Sequence, residues 1–235
     1  MKNWKKEPAK NNMEKTQRNI NLIFVFLLSF YAIYSIIYQQ SSIFFIVYLF
    51  WFDELIRNSS LYIQIKLHKE DLRVVREFTK EQALNNVKSR LFFLFVYSVF
   101  IIILFGLFFH LDKEDSNALV RNIHIFLFQD MPFNICLMIS MVREIIQIRT
   151  TYLNRYAQIP RFSAMSGQLL TLHLSIILGG LLWAITSGKF AQFNFSLGSL
   201  NRYAVVLPFF VIKLWVEIYN INSSQKKHLL ESLQR

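Results

Sequence analysis

The stretch NRYAVVLPFFVIKLWVEIYNIN, residues 201–222, decides the fold class of this chain. Its part 204–221 is long enough to cross a bilayer as a helix, at about 1.5 Å rise per residue. Lys213 falls near the middle of that crossing, and Glu217 follows four residues later on the same helix face. A charge at that depth costs free energy, so it indicates a buried partner or a function.

The composition of the whole chain is typical of a membrane protein. Of its 235 residues 54% are hydrophobic, and there are 24 Phe but only 6 Gly and 4 Pro. Repeated apolar runs of near-bilayer length are not expected in a soluble domain. The net charge of +11 comes from basic residues between the apolar runs. No nucleic-acid-binding motif is present, so we expect no nucleic-acid partner.

Six membrane-length segments predict an all-α, polytopic transmembrane helix bundle. The spans cover about 20–38, 43–66, 91–111, 123–146, 169–187 and 204–221, within a membrane domain at 20–221. A basic N-terminal segment, 1–19, precedes this domain and a tail, 222–235, follows it. The cationic stretch 66–90 is consistent with an amphipathic helix on the membrane surface or with a solvated helix between spans.

Lysine and arginine are unequally distributed between alternate links. With the N-terminus inside, the internal segments 1–19, 66–90, 143–168 and 222–235 hold 20 Lys or Arg, whereas the external links hold four. This bias follows the positive-inside rule and predicts that both termini are cytoplasmic. The expected partners are the lipid bilayer and, in a homo-oligomer or a larger complex, other membrane subunits.

The second span carries charges inside a membrane-length segment. Its purely apolar part, 43–52, is too short to cross a bilayer. A helix that continues to about residue 67 is long enough, and helical spacing then places its polar groups on one side: Asp53, Glu54, Arg57, Asn58 and Gln64. A one-sided polar stripe in a span faces protein or a water-filled cavity.

Two pairings of the embedded charges are open. In the first, Asp53 pairs with Arg57 and Lys213 with Glu217 within their own helices, and the charges only hold the fold. In the second, which we favour, the similar depth of Asp53 and Lys213 produces a bridge between the second and sixth spans. Arg57 and Glu217 then extend it toward the cytoplasm. The functional interpretation adds His173 of the fifth span to a proton- or ligand-handling site.

Pro132 interrupts the fourth run, because proline removes a backbone donor and disfavours helical geometry at the preceding residue. The helix therefore kinks or restarts here. Asp130 either caps a helix that begins near Pro132 or forms a mid-membrane polar pair with Asn134 at i, i+4. The sequence does not decide between these two roles.

Catalytic and cofactor signatures are mostly missing. The chain has no G-x-S-x-G, H-E-x-x-H, Walker A or G-x-G-x-x-G motif. His110 and Asp115 have the H-x4-D spacing of some acyltransferases, a short pattern that arises often by chance. No two histidines have metal-ligand spacing, and the single cysteine, Cys136, cannot form a cysteine cluster. We therefore expect no metal and no cofactor, and the catalytic residues, if any, are unknown.

Three stretches, YLFWFDEL, LHLSIILGG and VIKLWVEI, resemble signatures of a family of polytopic prokaryotic membrane proteins known only as a domain of unknown function. Members carry an aromatic-rich Tyr-Trp-Leu-Glu-Asn segment, a Leu-His segment followed by Ile and Gly-Gly, and a late Lys-x-x-x-Asp. The matching positions here are Trp51, Phe52, Asp53, Glu54, Leu172, His173, Ile176, Gly179, Gly180, Lys213 and Glu217. The resemblance implies a multi-pass protein of the prokaryotic inner membrane and the same site residues, but no activity.

Two function hypotheses follow. The first is a non-enzymatic membrane protein that binds or moves a small solute or ion, or a subunit of a membrane complex. Its ligand-binding or ion-pair residues would be Asp53, Glu54, Arg57, His173, Lys213 and Glu217. The second is a membrane-embedded enzyme acting on a lipid or isoprenoid, with His173 as acid/base and the Glu217–Lys213 pair positioning it. A solute site predicts a cavity near Asp53 and Lys213, and an enzyme predicts one beside His173.

Overall fold

A computed structural model of the chain describes residues 7–39, 43–67, 79–107, 116–153, 167–186 and 210–219. They form α1 (Glu7–Gln39), α2 (Ile43–Leu67), α3 (Lys80–Ile101), α4 (Ser116–Phe126), α5 (Met131–Leu153), α6 (Gly167–Thr186) and α7 (residues 210–219). α3 continues as a π-helix over Ile102–Leu107. These ranges contain no strand, so the predicted all-α fold is confirmed for them.

Three helical stretches are long and apolar enough to cross a membrane: Arg18–Ser35, Lys80–Gly106 and Leu119–Arg149. They identify the chain as a membrane protein. α2 has a similar length, 25 residues, but holds four charged side chains. α6 has a shorter apolar stretch, Leu169–Leu178. Only 210–219 of the predicted sixth span is described, and residues 1–6, the tail 222–235 and the His110–Asp115 spacing lie outside the described ranges.

α2 lies at the centre of the helix packing, where it contacts α3, α5, α6 and α4. Every residue from Phe44 to Phe50 is buried, as expected of a helix that is hydrophobic on all sides. The Tyr48 ring lies 5.0 Å from that of Phe44 and 5.5 Å from that of Phe133 on α5, centroid to centroid. Trp51 Nε1 donates a 2.7 Å hydrogen bond to the Leu94 carbonyl on α3. Aromatic packing therefore joins the first half of α2 to its neighbours.

α3 begins eleven residues before the predicted third span. Thr79 is its N-cap, and its side chain accepts from Gln82 N while the Gln82 side chain accepts from Thr79 N. Ala83 and Val87 are buried together with Ile65 near the end of α2. Residues 80–90 therefore belong to the same helix as the span. The interpretation of the whole stretch 66–90 as a separate surface or linking helix is wrong for this part.

The π-helical end of α3 is fixed by a side chain from α4. A π-turn displaces carbonyls from their usual helical partners. The buried Asn122 side chain donates to the Gly106 carbonyl at 3.1 Å and to the Phe105 carbonyl at 3.4 Å. A Cβ atom on Gly106 would lie 3.3 Å from the Phe44 ring, so glycine permits this close approach to α2.

A tight turn at residues 127–130 separates α4 from α5. Phe128 has a left-handed backbone with φ 58°, its N–H bonds the Ile125 carbonyl at 3.1 Å, and the next N–H bonds the His124 carbonyl at 2.8 Å. This pair of bonds is a Schellman motif. Asp130 Oδ1 then accepts from Phe133 N at 2.8 Å as the N-cap of α5.

Asp130 is therefore a helix cap. The alternative, a side-chain pair with Asn134, is wrong, because the Asn134 side chain donates to the Phe128 carbonyl at 2.7 Å. The restart is one of the two outcomes predicted at Pro132, and it lies inside the predicted fourth span, 123–146. Because α5 runs from Met131 to Leu153, Arg143 is the thirteenth of its 23 residues and lies in the middle of the helix rather than at its end.

Candidate functional site

Asp53 lies at the centre of a buried charge network between α2, α5 and α7. Its carboxylate is 2% exposed and is bonded on both oxygens. Oδ1 accepts from Ser140 Oγ and from Arg143 Nη2, both at 2.8 Å, and Oδ2 accepts from Lys213 Nζ at 2.8 Å. The bridge that we favoured between Asp53 and Lys213 is present in the structure.

Arg57 forms the second connection between α2 and α7. Its Nη2 donates to Glu217 Oε1 at 2.9 Å, and it lies farther from its own-helix neighbours, 3.7 Å from Asp53 and 3.9 Å from Glu54. Lys213 pairs with Asp53 and not with Glu217 one turn away. For Arg57 and Lys213, the ion pairs between helices are thus shorter than the ion pairs within α2, contrary to the within-helix pairing.

Four further side chains complete the network, and the sequence analysis did not assign them to the site. Arg143 donates to Glu144 Oε1 at 3.2 Å as well as to Asp53. Arg90 on α3 is 7% exposed and is attracted by the Glu54 carboxylate. Ser140, Arg143 and Glu144 have i, i+3, i+4 spacing, which places them on one face of α5. That spacing was the available signal.

The network is electrically balanced among the described residues. Its carboxylates are Asp53, Glu54, Glu144 and Glu217, and its cations are Arg57, Arg90, Arg143 and Lys213. Balance is expected, because an unpaired charge away from water is far more costly than a paired one. Two of these cations, Arg90 and Arg143, were counted in the internal links. Without them the predicted internal segments hold 18 Lys or Arg, against four in the external links.

A pocket opens beside this network between α2, α6 and α7. Among the described residues, its polar lining includes Asp53, Glu54, Thr171, Lys213 and Glu217, and its apolar lining includes Phe50, Leu172 and Val216. The empty space measures about 360 Å³ with the open mouth included, and the centre of a water molecule can move through about 30 Å³ of it, room for roughly two waters. A cavity beside Asp53 and Lys213 is the one that a solute site predicts.

One carboxylate oxygen of Glu217, a residue that lines this pocket, lacks a hydrogen-bond partner among the described residues. Glu217 is 4% exposed; Arg57 holds its Oε1, while its Oε2 has no partner among the described residues. The Lys213 ammonium, in contrast, has two partners: it donates to Asp53 and lies 4.1 Å from the centroid of the Phe50 ring. No group of three or more His, Cys, Asp or Glu in the described ranges is placed to hold a metal ion.

His173 is not part of this arrangement. Its side chain is exposed on the outside of α6, and its ring lies 5.5 Å from the Tyr97 ring of α3, centroid to centroid. The preceding residues, Thr171 and Leu172, are buried and line the pocket instead. The structure therefore brings together five of the six predicted site residues and separates His173 from them.

No protein-family model, curated protein or solved structure matches this chain. Its function must therefore be inferred from the geometry of its own side chains.

Proposed function

We propose that this protein is a multi-pass membrane protein that binds or moves a small solute or ion at the pocket between α2, α6 and α7. The observation that carries the proposal is the pocket itself, which is lined by Asp53 and Lys213. It lies against a network of buried charges whose partners come from different helices.

The position of the charges along the helices supports this proposal. Asp53 is the eleventh of the 25 residues of α2, near the middle of that helix. Transporters commonly place substrate and ion sites near the middle of their spans. Apolar side chains would hold three helices together at least as well as buried ion pairs, so stability alone does not account for the network. Ionisable residues in a span are by default functional.

The enzyme hypothesis has less support. It requires a cavity beside His173, whereas the pocket is lined by Thr171 and Leu172 and not by His173. The exposed side chain of His173 has the Tyr97 ring beside it. Binding or movement of a solute uses only groups that are already assembled.

The threading is also part of the proposal. We propose six spans with both termini in the cytoplasm, because the internal segments hold 18 Lys or Arg and the external links hold four. The resemblance of the three short signatures supports a prokaryotic inner membrane. In a Cys136→Ala background, cysteines at Ser116 or Ser196 should react with an external impermeant reagent, while one at Ser224 should not. Cys136 is fully buried, so its removal leaves a clean background. The reversed labelling pattern would contradict this threading.

Solute movement is tested in liposomes that contain the purified protein. The panel contains protons, sodium, potassium, ammonium and short-chain amines, each followed by a fluorescent or isotopic readout. We expect protein-dependent flux of at least one solute, lost in Asp53→Asn and retained in Asp130→Asn, a matched change at a helix cap outside the pocket. Val216→Phe fills the pocket without changing a charge and should also block flux.

Val216→Phe keeps the test informative if Asp53→Asn does not fold. Flux that is unchanged in Val216→Phe would place the pathway elsewhere. Neither flux nor ligand-induced stabilisation for any member of the panel would overturn the proposal.

A further inference from the structure

The unbonded oxygen of Glu217 indicates what kind of group the pocket accepts. The Glu217 side chain is 5% exposed, and its other oxygen is held by Arg57 at 2.9 Å. A buried carboxylate oxygen without a donor loses the free energy of its hydration without replacement. Since Glu217 lines the pocket, a hydrogen-bond donor inside the pocket would satisfy it.

The charge of the lining favours a cationic donor. Among the described residues, three carboxylates, those of Asp53, Glu54 and Glu217, line the pocket together with one cation, Lys213. Lys213 is already paired with the Asp53 carboxylate at 2.8 Å, and this neighbouring negative charge weakens its attraction for an anion. A bare metal ion needs several oxygen ligands around it. The described residues include no such group of acidic or histidine side chains, so a cation that donates hydrogen bonds fits better.

The size and the apolar walls limit the rest of the ligand. The interior has room for about two waters, and Phe50, Leu172 and Val216 are the apolar lining residues in the described part of the chain. Lys213 itself shows how an ammonium group is accommodated here. Its Nζ contacts a carboxylate oxygen at 2.8 Å and lies 4.1 Å from the centroid of the Phe50 ring.

We propose that the ligand of this pocket is a small primary ammonium cation with no more than a short apolar tail, which donates a hydrogen bond to Glu217 Oε2. The inference rests on the proposed function and narrows its substrate class. The ammonium group replaces the missing donor of Glu217, and the tail lies against the apolar walls. A bound water at the same oxygen, with no ligand specificity, is the competing occupant.

Methylammonium chloride is the probe, and thermal unfolding of the full chain in lipid nanodiscs is the readout. A ligand that binds the folded state raises the unfolding midpoint as its concentration exceeds its Kd. We expect methylammonium to raise the midpoint above that in equal sodium chloride. Tetramethylammonium, which has the same charge but no N–H donor, should not raise it.

Two matched variants locate the binding group. Glu217→Gln removes the accepting charge and should weaken the apparent affinity for methylammonium by about tenfold or more, because hydrogen bonds to charged groups are the strong ones. Asp130→Asn removes a carboxylate at the N-cap of α5, outside the pocket and the network, and should keep the response. If Glu217→Gln does not fold, Val216→Phe must abolish the response by filling the pocket.

Any of three results would overturn the inference and leave water as the occupant. They are an equal response to tetramethylammonium, an undiminished response in Glu217→Gln, and no response to methylammonium. The liposome panel separates this failure from that of the proposed function. Flux of another solute that Val216→Phe blocks, without a methylammonium response, would remove the ammonium ligand only. Binding of methylammonium that depends on Glu217, without flux of any solute, would retain the site and remove transport.

Discussion

The two halves of α2 lie in the same core but are held by different interactions. From Phe44 to Trp51 every side chain is buried against rings and aliphatic groups, and hydrogen bonds to these side chains are few. From Asp53 to Ser60 the buried side chains are charged or polar: Asp53 and its neighbour Arg57 have partners on α5 and α7, while Asn58 and Ser60 bond within α2. The change occurs within one helical turn.

One helix thus combines close apolar packing with charged groups that determine which helices lie next to it. Lipid tails are as apolar as a leucine side chain, so the aromatic half gains only close packing when it leaves lipid for protein. Such packing is the sum of many weak contacts. The charged half has few contacts, but each leaves a stranded charge if it is broken. It therefore specifies which helices must lie next to α2.

The largest loss of stability is expected when Asp53, at the centre of the charged half, loses its charge. Asp53→Asn removes the charge that faces Arg143, Lys213 and Arg57 and should cost about 3–5 kcal/mol of unfolding free energy, because those cations lose their partner. Lys213→Met should cost less, since the remaining carboxylate keeps Arg143 and Arg57. Denaturant-induced unfolding in detergent measures both. Asp130→Asn, which retains a good N-cap, is the control and should be near wild type.

The double variant Asp53→Asn, Lys213→Met tests whether the two residues act as a pair. Arg143 retains Glu144 and Arg57 retains Glu217, so the double variant should recover much of the loss of the single variants. Losses that simply add would show that the bridge contributes nothing of its own. The distinction between the two halves of α2 would then disappear.

An intermediate effect is expected at Phe50, where the two halves meet. Its ring packs edge-on against Phe210 at 5.3 Å between centroids and has Lys213 Nζ at 4.1 Å. Phe50→Leu should cost about 1–3 kcal/mol from the lost aromatic pair and cation–π contact together. In a Lys213→Met background the loss should shrink to that of the aromatic pair. Phe95→Leu, at a ring that is 66% exposed, should be nearly neutral.

If Phe50→Leu costs the same with and without Lys213, the ring belongs to the aromatic half alone.

The smallest effect is expected at Ser140, whose hydroxyl donates to Asp53 at 2.8 Å. Ser140→Ala should cost about 0.6 kcal/mol, the average for hydrogen bonds between membrane helices. Ser98→Ala, which loses a bond within its own helix, is the matched control. A loss as large as that of Asp53→Asn would mean that the hydroxyl positions the whole network.

The parts of the site that the sequence revealed are those set by local periodicity. Asp53, Arg57, Lys213 and Glu217 could be placed opposite one another because helical spacing and similar depth are both readable from the chain. His173 could not be placed. Whether it faces the pocket depends on how α6 is rotated against α2, and that rotation is a property of both surfaces.

Arg143 was missed for a different reason, which lies at Phe128. A left-handed residue at a helix end is usually glycine, and a glycine there would have indicated the break between α4 and α5. Phenylalanine adopts φ 58° here, while its ring packs against Phe52 at 5.4 Å between centroids. Without that signal the choice between a kink and a restart at Pro132 stayed open, and the predicted span, 123–146, left Arg143 within its last turn. Arg143 was therefore assigned to a cytoplasmic flank.

The order in which the ribosome makes these helices has a consequence for the charged half of α2. Arg143 follows Asp53 by 90 residues and Lys213 follows it by 160. At about 5–20 residues per second, Lys213 is synthesised roughly 8–32 s after Asp53. An unpaired Asp at the centre of a span costs about 2.5–3.5 kcal/mol on insertion scales. Asp53 therefore leaves the ribosome before its partners on other helices, and Arg143 of α5 can pair with it before Lys213 of α7 is made.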